Sequence, residues 1–586
     1  MLTANLILSI AVAGSSGLVT YVDANLSSGL NNGTSWTNAF RGELGLKSAI
    51  AAGAQVIWVA DGTYYPGPAG SPSTTTFNIG PNVMIIGGFA GGEVDDLQAN
   101  PAVNIATLSG DLPGGPAGQP ELEAVVTLTN GNTSTLLIGL TIDVCLNGTP
   151  ANALASPRRG VVVNGGSPHL ERCTIRDGRA PKGAGVHIIN GSQCTAYDCV
   201  FIDNIAQLAG GGVYSDATSD THYTQCLFKN NGGGLGAGLY LGAYGNERAG
   251  GAFPSLWKCD FVNNGGVFGA ASGGGIYCRN TIPELQDCRF VHCIVAGGGG
   301  AIFSQDSNVW MDRCSFIDCS AAGDGGGAIY ANNTQPSNYQ TTDISNCLFT
   351  GNHNSLFARN GAEIDARNCT FANGRAQPGQ PLLFPTIVAT GGMPSSILVS
   401  NSIIWGNVPF NGAPVGGNVL ALGGSTVQLD RCDAEGWSGP LAGIVGTGNF
   451  SANPLFIDRD GADGLLGNED DDLHLMVTSP CVDSGNANLV NDAYYYDLEH
   501  NDRFIDVPSA PNVGSGWLPY LDIGCYEFAP PPCLTDITGD GQTNASDLAI
   551  LLGDWGTTEL RSDFDGSGNV GAADLAILLG GFGPCE

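Results

Sequence analysis

The sequence predicts an all-β solenoid, a parallel β-helix, with a helical cap before it and a small helical module after it. Three observations predict it. First, a six-residue phrase, Cys-x-apolar-x-x-Asn, keeps returning: CTIRDG from Cys173, CVFIDN from Cys199, CLFKNN from Cys226, CDFVNN from Cys259, CRFVHC from Cys288, CSFIDC from Cys314, CLFTGN from Cys347 and CTFANG from Cys369. Successive Cys lie 22 to 33 residues apart. Second, a small-residue element follows the phrase, as in GGGVY at Gly210, GAGLY at Gly236, GGGIY at Gly273, GGGAIF at Gly298 and GGGAIY at Gly325. Third, nothing in the unit has helical period. A fixed unit of this length means a solenoid, propeller or array, and a four-stranded blade needs ~40 residues.

Within the phrase, the first and third residues share one side of a short strand. Coils stacked at ~4.8 Å would line equivalent residues up in columns. Phe201, Phe228, Phe261, Phe290, Phe316, Phe349 and Phe371 then form a continuous core stack. Asn204, Asn231, Asn264, Asn352 and Asn407 form an internal ladder of amides at a bend, since stacked amides satisfy one another. The Cys column reads as buried free thiols packing like small hydrophobes. Cys293 and Cys319 both replace Asn in consecutive coils, close enough for a disulfide.

The chain opens with an apolar run, LILSIAVAG, and an Ala11-Val12-Ala13 site, a candidate export signal over residues 1–19. Residues 20–125 read as cap and first coils. A strand at TYVDAN is followed by GELGLKSAIAAG, with helical spacing at Leu44, Leu46, Ala49 and Ile50, which would cover the open end of a β-helix. Residues 126–450 carry the repeats, and residues 451–528 the expected C-terminal coils and their cap. There, Asp458, Asp460, Asp463, Asp470, Asp471 and Asp472 are interleaved with Gly; hard oxygen ligands at that density suit Ca²⁺, and a solvated acidic loop is the alternative.

The formal net charge is −33, from 54 acidic and 21 basic residues, with 89 Gly and 18 Cys. Such a chain repels nucleic-acid backbones and anionic lipid, and no stretch is long and apolar enough for a transmembrane segment. Arg158, Arg159, Arg172, Arg176, Arg179 and Lys182 gather around Cys173 with His169, a candidate carbohydrate-facing patch. Arg176 is expected simply to face solvent. His187, His222 and His292 occupy ordinary strand or loop positions. No residue is assigned a catalytic role.

After a Pro linker (FAPPPC), residues 529–586 hold two copies of one motif, DITGDGQTNASDLAILLG from Asp536 and DFDGSGNVGAADLAILLG from Asp563. Each is a loop with oxygen ligands at EF-hand spacing, running into an amphipathic helix. The first offers Asp536, Thr538, Asp540, Gln542, Asn544 and Asp547; the second offers Asp563, Asp565, Ser567, Asn569 and Asp574. Gly541 and Gly568 take the sharp-turn position. The duplicated motif resembles a type I dockerin, which implies Ca²⁺ as cofactor and a cohesin-like partner on another protein, met near Ala545-Ser546 and Ala572-Ala573. Thr538, Ser567 and Gly571 depart from the family pattern, which implies a weaker or water-assisted second site. Cys533 and Cys585 bracket the module as a candidate disulfide.

Residues 140 to 410 resemble the repeats of bacterial polymorphic outer-membrane proteins, implying a right-handed parallel β-helix. The closing wording, SPCVDSG and YLDIGCYEF, resembles segments that follow β-helices in bacterial surface proteins. Together these imply a secreted or cell-surface bacterial protein that binds carbohydrate or a surface. The alternative is a polysaccharide lyase or glycoside hydrolase in an extracellular complex, since the fold hosts both. The polygalacturonase-type wordings GHG, RIK and NTD are absent from the sequence.

Overall fold

The computed structural model describes residues 19–113, 122–144, 157–244, 252–266, 271–323, 325–335, 340–375, 385–409, 415–490, 495–507, 510–518, 520–528, 535–538, 542–559, 561–565 and 567–584. The export signal apart from Val19, the Pro linker after Phe528, Cys533, Asp540, Gly541 and Cys585 lie outside the described residues.

Each turn of the chain contributes one strand to each of three long parallel sheets. The first sheet has 16 strands, from Val19–Asp23 and Phe40–Arg41 to Ile444–Val445; the second has 13, from Gly62–Tyr64 to Asp433–Ala434; the third has 12, from Phe77–Ile79 to Val419–Ala421. Strand pairing is between successive coils and in register: Phe201 opposes Phe228, Phe228 opposes Phe261, and Phe261 opposes Phe290. The solenoid is therefore a three-sided parallel β-helix.

The expected columns are present. The seven phenylalanines are 0–1 % exposed, and their rings stack at 4.5 to 5.0 Å. Asn231 Oδ1 accepts from the Asn204 backbone N–H at 3.1 Å and from its amide at 3.2 Å, and the Asn231 amide donates to the Phe201 carbonyl at 2.8 Å. Asn264 repeats the pattern on Asn231 and Phe228. At these bends the amides are satisfied by the neighbouring coil, as burial demands. The bends themselves are left-handed. The residue before Cys has φ near +50° at Asp198, Gln225 and Lys258, and the residue before Asn does so at Asp203, Asn230 and Asn263. The third corner is glycine: Gly212 carries no side chain because a Cβ there would lie 2.5 Å from the Gly238 carbonyl oxygen.

A second aromatic column lies outside the third sheet: Tyr214, Tyr240, Tyr277, Phe303, Tyr330 and Phe357 stack at 4.6 to 5.4 Å. Their letters stand in the sequence at the end of the small-residue element, where alternation along a strand places them opposite the core. The bridge expected between Cys293 and Cys319 is not formed. Both are free and buried, and their thiols donate to the carbonyls of Phe261 and Phe290, filling the place of the Asn amide in the neighbouring coils.

The N-terminal cap is as expected in kind. Helix α1 (Gly45–Ala51) buries Leu46 and Ala49 against the first coil, while Leu44 precedes the helix and is exposed. The C-terminal segment departs from the reading. After Ile444–Val445 no further coil is added. Phe456–Asp458 and Asp472–Leu475 pair antiparallel with each other, and the segment folds back along the second sheet as a strap. It buries Phe456, Leu473, Leu475, Val482, Val507 and Ile523 against the outward-facing Leu348, Ala372 and Ile403. Polar anchors hold it: Gly524 N–H donates to Asn401 O at 2.9 Å, Cys525 N–H to Thr370 Oγ1 at 3.1 Å, and Arg503 Nε to Asn346 Oδ1 at 3.0 Å.

The wording SPCVDSG and YLDIGCYEF is the strap's own core. Arg503, Asp483, Asp497, Asp522 and Glu527 are all buried there, with Arg503 Nη1 3.7 Å from Glu527 Oε2. Asp522 accepts the backbone N–H groups of Asp483 and Phe528, each at 2.7 Å. Burial raises its carboxyl to about 7.

Two outcomes are expected. Phe261→Ala, in mid-stack, lowers unfolding free energy by about 3–5 kcal/mol, whereas the half-exposed Trp310→Ala changes it by under about 1 kcal/mol; equal denaturation midpoints would contradict the stack's role. The Asp522 carboxyl is held above its unfolded value, so its contribution is full below about pH 4 and is lost as pH rises towards 7. Scanning calorimetry between those limits should show wild type losing more stability than Asp522→Asn, and parallel profiles would refute this assignment.

Candidate functional site

Three places gather chemistry-bearing side chains. The first is the C-terminal module. Helices α2 (Ala545–Gly553) and α3 (Ala572–Gly580) are 27 residues apart in the chain and meet through Leu551, Val570 and Leu578. In each copy the last acidic residue of the loop is the third helix residue and closes the loop on itself. Asp547 accepts Thr538 N–H at 2.8 Å and Asn544 N–H at 2.8 Å; Asp574 accepts Asp565 N–H at 3.1 Å and Gly571 N–H at 2.7 Å. Asp547 and Asp574 are buried at 0 and 1 % exposure, as a buried carboxylate must be hydrogen-bonded to persist.

In the second loop, Asp563, Asp565 and Asp574 bring one oxygen each within 4.8 Å of one another, and among the described residues they form the one such group of three. Gly568 supplies the left-handed turn at φ +83°. The Gly571 amide holds Asp574 below the usual carboxylate range, and the Ser567 hydroxyl and amide do so for Asp565. The donors are charged, hard and clustered, which is the chemistry an oxygen-seeking divalent cation requires. Ser567 Oγ faces the Asn569 carbonyl at 3.2 Å. In the first loop, Thr538 Oγ1 lies 3.1 Å from Asp536 Oδ1 and 2.9 Å from Asp547 Oδ1. Asn544, expected as a ligand, caps α2 through Ser546 N–H at 2.7 Å, and its neighbour Gln542 pairs with Pro584 across a short antiparallel ladder.

The acidic loop of the strap behaves differently. Asp458, Asp460 and Asp463 are exposed and do not converge on one point among the described residues. Asp463 accepts the Leu465 N–H at 2.7 Å and the Asn468 amide at 2.9 Å. Asp471 ties the strap to the solenoid by accepting from Thr350 Oγ1 and the Asn373 amide. Asp463 thus holds a turn and Asp471 a docking contact.

The third place is a cleft of about 400 Å³ where the strap's edge meets the second sheet. Lys258, Asp260, Asp287, Arg289, Arg313, Glu499, His500 and Tyr526 line it. Asp260 pairs with Arg289 at 3.2 Å, and Asp287 with Arg313 at 2.9 Å and His500 at 3.2 Å. Behind Glu499, His474 is clamped by Asp472 at 2.7 Å and Glu499 at 3.3 Å, and its ring lies tilted against Tyr526 with centroids 3.9 Å apart. The cleft offers many polar groups to a hydroxyl-rich ligand, and each carboxylate in it already has a cation or imidazole.

The basic residues around Cys173 separate onto different faces. His169 contacts Thr195 on the first sheet at 2.6 Å. Arg172 pairs with Glu171 at 3.1 Å. Arg176, expected to face solvent, makes a double contact with the buried Asp143, at 2.8 and 2.6 Å. Arg179 donates to the Gly178 and Asp203 carbonyls. His222 and His292 make coil-to-coil contacts with Ser255 and Asp318. Only Arg159, Lys182 and His187 of the basic set line one pocket, a convergence that sequence order hides because they come from two coils. No helix among the described residues is long and apolar enough to cross a membrane.

No curated protein matches the sequence. Among solved structures the chain is similar to the crystal structure of pectate lyase Pel9A, at 15 % identity over 87 % of this chain and 96 % of that one, with a TM-score of 0.37. Residues 144–281 match the family model for a right handed beta helix region, and with the coil geometry above they make this chain a right-handed parallel β-helix protein.

Proposed function

We propose that the chain is a secreted or cell-surface bacterial binding protein. Its β-helix presents a long surface to carbohydrate or another surface, and its C-terminal module docks it, calcium-dependently, to a cohesin-like partner. The observation that carries this reading is the gathering of Asp563, Asp565 and Asp574 within 4.8 Å at the head of a duplicated loop and helix. Asp563, Asp565, Ser567, Asn569 and Asp574 would hold one Ca²⁺; Asp536, Thr538, Asp540, Gln542 and Asp547 would hold another. A docking role has independent support from the helices. Leu552 and Trp555 after the first loop, and Leu579 and Phe582 at the equivalent places after the second, are 44–53 % exposed. Large apolar side chains left in water twice over, at repeated positions, suit a partner's surface. The resemblance to type I dockerins and to outer-membrane-protein repeats points the same way.

The second reading, a polysaccharide lyase or glycoside hydrolase, is favoured by the charged cleft beside the strap. A glycosidase needs one carboxyl left protonated near a second, and a lyase needs a base beside a neutralised uronate. The pairing of Asp260, Asp287 and Glu499 with cations or imidazole weighs against the first and leaves the second to experiment.

Titrating Ca²⁺ into the full chain should raise the melting temperature of the tail's transition, by about 2.7 kcal/mol of stabilisation at a hundredfold excess over Kd. Asp536→Ala with Asp563→Ala should abolish the response, and a wild-type chain indifferent to Ca²⁺ would end the docking reading. For the enzyme alternative, polygalacturonate incubated with the chain, with and without Ca²⁺, is followed by absorbance of the unsaturated product. The binding-protein reading expects no turnover, and sustained turnover would replace it with the lyase.

A further inference from the structure

We propose that the cleft between the strap and the second sheet binds a neutral sugar unit of a polysaccharide, held by side chains of both parts. The inference rests on the carbohydrate-binding reading and deepens it, by naming where the sugar sits and what charge it carries.

The cleft has a volume of about 400 Å³ and is lined by Asp260, Asp287, Arg289, Arg313, His500 and Tyr526, among others. That volume is in the range of small-ligand sites. It exists because the strap stops short. The strap's apolar core covers Leu348, Ala372 and Ile403. Over the coils of Asp260, Arg289 and Ser315, single side chains reach across instead: His500 meets Asp287 at 3.2 Å, and Glu469 pairs with Arg289. The Leu498 N–H turns back to the Cys525 carbonyl, 3.0 Å away within the strap itself.

Asp287 fixes the cleft before any ligand arrives. One of its oxygens accepts from Arg313 Nε at 2.9 Å and lies 3.2 Å from His500 Nε2; the other accepts the Trp257 indole N–H at 2.9 Å. The coil before, the coil after and the strap thus meet on one carboxylate. The Arg313 and Asp287 side chains are 6 and 10 % exposed, so a ligand meets groups that need little further ordering.

Charge selects the ligand. Arg289 pairs with Asp260 and Glu469, and Arg313 with Asp287 and Asp312. An acidic sugar would have to displace those carboxylates, against a chain of net charge −33. A cationic one would have to displace the guanidinium groups. A hydroxyl group does neither. A carboxylate accepts about four hydrogen bonds and a guanidinium donates five, so an intact ion pair still serves hydroxyls, with bonds of the stronger, charge-assisted kind. Leu498 and Tyr526, whose ring has His474 against it at 3.9 Å, supply an apolar wall for the C–H face of a pyranose ring.

The test uses calorimetry on the full chain in EDTA, so that no calcium site contributes. Cellohexaose, xylohexaose, mannohexaose and hexagalacturonate are titrated separately. At least one neutral hexasaccharide should bind saturably and more tightly than hexagalacturonate. Ser315 lines the cleft without belonging to its ion pairs, and Ser315→Trp should weaken that binding at least about tenfold. Thr174→Trp, on the outward face of the same sheet but outside the cleft, should leave it unchanged. Because the sugar bridges solenoid and strap, it should also slow hydrogen exchange of the Leu498, Glu499 and His500 amides in wild type, a readout that stands even if Ser315→Trp misfolds. Unchanged binding by a folded Ser315→Trp, or unchanged exchange at those amides, overturns this site and leaves the carbohydrate reading standing. Tighter binding of hexagalacturonate overturns the neutral assignment. Absence of binding by all four removes both the site and the reading.

Discussion

Coil-on-coil register is the constraint on which the rest of the solenoid depends. Parallel strands stacked a fixed distance apart can turn a corner only if every coil turns at the same place, so three left-handed or glycine corners recur in each turn. Buried corners leave backbone groups without partners inside their own coil. The Asn column resolves this by accepting an N–H and donating to a carbonyl of the preceding coil. Neighbouring coils consequently satisfy each other, and stability runs along the axis as nearest-neighbour terms. The phenylalanine stack fills the volume that this geometry leaves, which is why Phe and Asn stand three residues apart in one phrase.

The same geometry creates a problem that the strap answers. One outward column of the second sheet reads Asp260, Arg289 and Ser315 over the middle coils and continues as Leu348, Thr370 and Ile403, and Leu348, Ala372 and Ile403 form an outward apolar patch there. A bare apolar face would favour association. Residues 451–528 cover it, and their fully buried Arg503 reads out two consecutive corners through Asn346 and Asn368. Its Nη1 faces the Glu527 carboxylate at 3.7 Å without a hydrogen bond, and removing either corner asparagine would leave more of a buried charge unpaired, so docking of the strap is specific to those coils.

The repeat and its columns were legible in the sequence because they recur, and recurrence separates a structural rule from chance. The outer aromatic stack was equally periodic, yet its letters read as part of a glycine-rich bend. The strap was not legible as a strap: its anchoring contacts join residues 85 to 157 positions apart, and its wording resembled more coils. One local signal does mark its footprint. The residue at the corner before the second sheet is Asp198, Gln225, Lys258, Asp287 or Arg313 on the earlier coils and becomes Asn346, Asn368 and Asn401 where the strap's core lies. Cys293 and Cys319 show the limit of spacing arguments. Stacked positions are close enough for a bridge, but the Asn they replace was bonded to a backbone carbonyl, and a thiol can take over that bond without oxidation.

Charge placement follows the same coil-to-coil logic. Arg176, Arg289, Arg313 and Arg503 each meet a carboxylate, so their charge is cancelled in holding coils or strap together. Lys182 and Lys258 are placed by aromatic rings, at 3.9 Å from Tyr244 and 4.7 Å from Trp257. A ring holds an ammonium through its quadrupole, which fixes the position of the side chain without using a carboxylate of the neighbouring coil.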